Sequence, residues 1–352
     1  MKKWIVRILL ILLAVILIAA IAVTGVYWTR FATISTLNEV VPSSFYTVDF
    51  KADYKLDELL SRNLQNDQIF VNEALDIMYP MLSLKMEAPA LMCSVFAAET
   101  AEGEHIFGRN FDLSQIHCLL IRTSPRDGYR SISALIPEII QIKDFPISSA
   151  MDKMKLLIAP YAITDGMNEK GLGVAALVVN GDPTYQDTGK LPITTNLALR
   201  LMLDKAATTD EAVELLSQYD MRASGGSNYH FFITDASGKS VVVEYYNNEM
   251  TVEDSNLCTN FYLREGAPES ENKNAYERFE IVKNALEDCD GIVTEDSGMD
   301  ILKAAARNFN VPDADCSTQW SEIFNLEKGT LGIAIDMDYD HIYQYTIENF
   351  DR

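Results

Sequence analysis

Between Arg7 and Arg30 the chain carries no charge, and the 22 intervening positions, Ile8 to Thr29, are almost entirely Leu, Ile, Val and Ala. A run of that length spans a bilayer as a helix. Residues 1–30 therefore read as an N-terminal transmembrane anchor, with any folded domain starting beyond it. Lys2, Lys3 and Arg7 precede the run, and Trp4, Tyr27 and Trp28 sit near its ends, where amphipathic rings favour the membrane interface. The positive-inside rule places the N-terminus in the cytoplasm and everything after Trp28 outside the cell membrane. Ala20-Ile21-Ala22 resembles a small-residue cleavage site, so removal as a signal peptide, with secretion of the remainder, is the competing reading. In both cases the domain is exported.

The 352 residues are 48% hydrophobic and 23% charged, an ordinary balance for a sizeable globular core. A formal net charge of −22 excludes nucleic acid and an anionic membrane surface as partners, because both repel the chain. Cys93, Cys118, Cys258, Cys289 and Cys316 form no CxxC pair, and His105, His117, His230 and His341 are scattered. Neither set has metal-ligand spacing, and no metal or other cofactor is expected. An odd cysteine count in an exported chain flags one free thiol, with the other four able to pair or stay buried.

Phe31 to Phe50 is mixed in pattern, and Leu56 to Tyr79 has helical spacing. Residues 31–92 as a whole read as a largely helical upstream segment. From Cys93 onward, short alternating runs with turn signals predict strands: CSVFAAET, EHIFGRNFD, GLGVAALVV, HFFITD and KSVVVEYY, then TLGIAIDMD and HIYQYTIE. Helices are expected over 195–204, 210–218 and 274–287, the second capped by Thr208 or Thr209. Hairpins with helices between them point to one α+β domain over 93–352, not to an alternating βαβ pattern.

The first hairpin turns at Ala101-Glu102-Gly103, so paired residue numbers sum to about 204. Cys93 then opposes Phe111, Val95 opposes Arg109, and Cys93, Val95 and Arg109 share a face. A cation beside the thiol lowers its pKa. Asp112 has the opposite parity and reaches that face only if the strand bends.

MCSVFAAETAEGEHIFGRNFD resembles the opening of the choloylglycine hydrolase and penicillin V acylase family of N-terminal-nucleophile amidases, related to acid ceramidase. The resemblance continues through DGMNEKGLGVAAL, HFFITDASGKSVVVEY, CTNF, YERFEIV and WSEIFNLEKGTL, in order along the chain. It implies a four-layer αββα sandwich and a hydrolase of linear, non-peptide amides. It further implies that Cys93 is the nucleophile, released by self-cleavage of the Met92–Cys93 bond, and that Arg109 and Asp112 hold the thiol and the free α-amine. Asn260 matches an active-site asparagine and Arg278 a supporting arginine. Val178 stands where bile-salt and penicillin V enzymes carry an oxyanion-hole asparagine, and Asn180, two positions on, is the substitute. The long segment before Cys93 is like that of the acid ceramidase branch, and Ala74 to Met92 is expected to stay packed on the domain after cleavage.

In that chemistry an α-amine titrating near about 7.7 to 8.0 serves as the base, so no histidine is required. The partner is a small-molecule N-acyl amide, open among conjugated bile salts, penicillin V-like amides, N-acyl homoserine lactones and fatty-acid amides. Oligomeric state is open between monomer and homo-oligomer. Two other readings stand: a Cys–His hydrolase without processing, with His230 or His117 as base, and a non-catalytic exported module that keeps the fold as a binding surface.

Overall fold

The computed structural model describes residues 2–80, 84, 92–114, 116–308 and 316–350. Its larger sheet has nine strands in the order β1 (Asn38–Val41), β2 (Phe45–Phe50), β5 (Cys118–Thr123), β6 (Ser131–Leu135), β7 (Asp165–Asn168), β8 (Leu172–Val179), β11 (Asn228–Asp235), β12 (Ser240–Tyr246) and β13 (Glu249–Asp254). The second sheet has six, in the order β14 (Leu257–Cys258), β3 (Met92–Glu99), β4 (His105–Leu113), β15 (Ser317–Asn325), β16 (Thr330–Ile335) and β17 (Ile342–Thr346). A parallel pair, β9 (Pro192–Thr194) and β10 (Asp220–Arg222), stands apart.

The helices are α1 (Lys2–Ser35), α2 (Leu56–Leu60), α3 (Asp67–Met78), α4 (Ala150–Lys155), α5 (Thr195–Lys205), α6 (Thr209–Ser217), α7 (Lys273–Asp288) and α8 (Glu295–Ala305). α5 and α6 cover the outer face of the nine-stranded sheet, and α7 and α8 cover that of the six-stranded sheet. Between the sheets, β3 lies against β8, and the rings of Phe107 and Phe232 stack at 5.7 Å. The layers therefore run helix, sheet, sheet, helix, as expected.

The β3–β4 hairpin is buried on both faces, which sorts its residues. Cys93, Val95, Phe107 and Phe111 join the main core between the sheets. Phe96 and Ile106 face the opposite way, into a smaller cluster with Val282 and Leu302 from α7 and α8. Burying a ring such as Phe96 contributes about 1.5–3 kcal/mol. Gly108 has to be glycine: a Cβ there would sit 2.3 Å from the Phe96 ring.

The helices expected near 195, 210 and 274 are present, and Thr208 caps α6 by accepting the Glu211 N–H. The helical region 56–79 is interrupted before Asn66, whose side chain caps α3 on Ile69 N. α8 was not anticipated; its signal is the Thr294–Ser297 capping box. Residues 31–92 correct the expectation of a largely helical segment, because β1 and β2 extend the larger sheet and β2 pairs in parallel with β5. Phe45-Tyr-Thr-Val-Asp-Phe50 is aromatic and β-branched, and it is buried almost throughout, as suits an interior strand.

α1 is one unbroken helix, and among its described side chains Leu10 to Leu13 and Val15 to Ile18 are exposed. Among the described residues no helix is long and apolar enough to cross a membrane. The expected span is not met there: within 8–29 the longest run with described side chains is 10–18.

Candidate active site

The hairpin register pairs Met92 with Asp112, Cys93 with Phe111 and Val95 with Arg109, as the turn position requires. Cys93 is fully buried. Arg109 Nη2 donates to Cys93 Sγ at 3.3 Å. The guanidinium is itself fixed from the facing sheet, by the Asp165 carboxylate at 2.7 Å and the carbonyls of Thr164 at 2.7 Å and Ala176 at 3.2 Å. Arg109 is thus a strut between the two sheets with one end on the thiol.

The other face of β3 is held from α7. Arg278 Nη1 donates to Cys93 O at 2.6 Å, Ser94 Oγ at 2.9 Å and Asp112 Oδ2 at 3.0 Å. Its Nη2 donates to Asn260 Oδ1 at 2.8 Å, and the same oxygen accepts Cys93 N–H at 2.8 Å. Asn260 Nδ2 donates to Val178 O at 2.8 Å, and Thr318 Oγ1 donates to Asp112 Oδ1 at 2.6 Å.

Two expectations change here. Asp112 does not bend round to the thiol face; it acts from below through Arg278, so Arg109 alone of the two touches sulfur. The thiol pKa is not lowered either: burial pushes it above the usual 9.0, Arg109 pulls against that, and Asp112 adds to the rise. Burial likewise lifts Asp112 above the ordinary carboxylate range against the pull of Arg278 and Thr318.

Cys93, Arg109, Asp112, Asn260 and Arg278, far apart in sequence, therefore meet in one buried cluster. Asn180 does not join them. It is exposed just past the end of β8, and its Nδ2 donates to Ser270 Oγ at 3.2 Å. Of the segment 74–92, residues 81–83 and 85–91 lie outside the described residues; Met92 opens β3 with its sulfur 3.8 Å from Cys316 Sγ. Among the described residues no disulfide joins any of the five cysteines. His230 lies against Cys258 at 3.1 Å and His117 against Glu138 at 2.5 Å, so the two histidines named as alternative bases have other partners. Sequence reasoning assigned no role to Asp165, Ser94 or Thr318. Asp165 opens the DGMNEKGL motif, the one signal that marks it out.

The site is thus a buried cysteine near the head of a central strand, its sulfur and its nitrogen each met by a dedicated side chain in a four-layer α+β fold. The model of the linear amide C-N hydrolases, choloylglycine hydrolase family, matches residues 93–261, opening on Cys93 and closing one residue past Asn260. Over this region the chain is similar to that family. It is 30% identical over 176 residues to the bile salt hydrolase/transferase of Clostridium perfringens (strain 13 / Type A), covering 47% of this chain and 52% of the relative. It is 32% identical over 120 residues to the penicillin V acylase of Pectobacterium atrosepticum, covering 31% of each. The chain thus spans about half or less of the length of these curated relatives. Among solved structures, a mutant conjugated bile acid hydrolase from Clostridium perfringens superposes with a TM-score of 0.56 at 20% identity, over 74% of this chain and 94% of that one. Penicillin V acylase from Agrobacterium tumefaciens gives 0.53 at 18% identity, over 74% and 87%. Both share the fold, and the matched family and both curated relatives are amide hydrolases.

Proposed function

We propose that this chain hydrolyses the linear amide bond of a small N-acyl substrate, with Cys93 as nucleophile once the Met92–Cys93 bond is cut. One observation carries the reading: the two atoms of Cys93 that the chemistry needs are already held, Sγ by Arg109 at 3.3 Å and N by Asn260 at 2.8 Å. In maturation Cys93 sulfur attacks the Met92 carbonyl, the peptide nitrogen leaves as the α-amine, and water hydrolyses the resulting thioester. The freed amine, titrating near about 7.7 to 8.0, takes the thiol proton and later passes it to the leaving amine of the substrate. Asn260 Nδ2 and backbone N–H groups stabilise the tetrahedral oxyanion, Asn260 giving up its bond to Val178 O to do so. The full burial of Cys93 accords with a latent, uncut state.

Residues 1–30 are the membrane anchor of this enzyme, with the N-terminus cytoplasmic and the domain outside. The uncharged run 8–29, its cationic flank and the exposed apolar side chains of α1 support that placement.

The test is a panel of conjugated bile salts, penicillin V, N-acyl homoserine lactones and fatty-acid amides assayed on the purified domain beside its Cys93→Ala variant. Release of free amine by the wild type alone is expected. Equal release by both proteins, or by neither on any amide, contradicts the reading.

A further inference from the structure

Beside the Cys93 cluster lies a second buried set that the proposed chemistry does not use. His230 on β11 and Glu244 on β12 have no exposed side-chain surface and join through Nδ1 and Oε1 at 3.2 Å. The other ring nitrogen, Nε2, lies 3.1 Å from Cys258 Sγ. Glu244 also accepts two backbone N–H groups, Leu263 on Oε1 at 2.8 Å and Arg264 on Oε2 at 3.0 Å. Burial pushes this carboxyl up, but the His230 bond and the two N–H donors hold it below the ordinary range, so it is an ionised acceptor.

The arrangement looks like a nucleophile with its base, yet the charges around it are wrong. Burial lifts the Cys258 thiol well above 9.0, and Glu244 and Cys93 push it the same way. What the dyad does hold is a stretch of chain. Cys258 ends β14, Leu263 and Arg264 follow a few residues on, and Asn260 lies between them. One dyad on the facing sheet grips the segment at both ends, and any slip leaves a buried carboxylate and two N–H groups unpaired.

We infer that His230 and Glu244 are positioning residues for Asn260, fixing the loop so that its amide meets Cys93 N and the reacting carbonyl. This rests on the reading of Cys93 as nucleophile. Glu244→Gln keeps the shape but can accept from only one of the two N–H groups without setting its own NH2 against the other.

Kinetics of the full chain, on the amide it cleaves best in the panel above, test the inference. Concentrations are normalised to active sites titrated by alkylation of Cys93. Glu244→Gln is expected to lose about 10²-fold in kcat, the scale of a misplacement near 1 Å. KM should stay within about twofold, since Asn260 faces the reacting centre and not the rest of the substrate. Glu244→Asp should recover part of the loss. An unchanged kcat per active site, or a loss confined to the active fraction and the unfolding midpoint, overturns the inference while leaving Cys93 as nucleophile. A wild type inert on every amide defeats the parent reading and this one together. Should Glu244→Gln fail to fold, His230→Gln, which leaves Glu244 both backbone donors, is read by the same criteria.

Discussion

Cys93 and Cys258 lie on neighbouring strands of one sheet, both fully buried, and their surroundings are opposite in sign. Cys93 faces a guanidinium that pulls its pKa down against burial, whereas Cys258 faces an imidazole tied to a carboxylate and is pushed only upward. A reader looking for a cysteine beside a histidine would choose Cys258. The proposed role of Cys93 as nucleophile rests instead on its fixed cation and held backbone nitrogen, because a thiolate needs compensating positive charge and the proposed base is the Cys93 amine.

Substitutions can break that contrast. Cys93→Ala is expected to abolish amide hydrolysis, a loss on the order of 10³-fold or more, since the residual catalysis of a site without its nucleophile is small. Steady-state rates on the purified domain measure it. Next comes Arg109→Gln, which removes the one cation that touches the sulfur among the described residues. The folded thiol pKa already stands above 9.0, so the thiolate appears only as pH rises through that raised value. Without Arg109 the value climbs further, and the alkaline limb of self-cleavage should move to higher pH in a pH–rate profile. The linkage has a matching sign: the folded chain holds this proton more tightly, so Cys93 favours the fold below pH 9.0 and that contribution fades as pH climbs through the raised value.

Arg278→Met leaves Asp112 buried without its cation and should destabilise the fold by about 3–5 kcal/mol in denaturant unfolding. The smallest effect belongs to Cys258→Ser, which keeps a hydrogen-bonding group against His230 and should hold kcat within about threefold of wild type. A large loss there would erase the distinction between the two thiols.

Much of this contrast was legible before any coordinates. Turn position and strand parity alone set Arg109 beside Cys93, because a two-residue side-chain period leaves no freedom once the turn is placed. The same parity put Asp112 on the other face, and there it stays. What the sequence could not reveal were contacts made across layers: Arg278 reaching up from α7, Asp165 bracing Arg109 from the facing sheet, and Asn260 accepting the Cys93 N–H. Nor could it weigh desolvation against charge, and desolvation prevails at Cys93. The substitute oxyanion donor failed for a local reason. Asn180 shares a strand parity with Val178 but falls one residue past the end of β8, where the chain turns out to Ser270.

The central claim is that Cys93 works only as an N-terminal residue. N-terminal sequencing and intact mass of the catalytically active protein test it most directly. The account predicts a chain beginning at Cys93, with hydrolysis appearing in step with that species; full hydrolytic activity in a protein whose Met92–Cys93 bond is intact would contradict it.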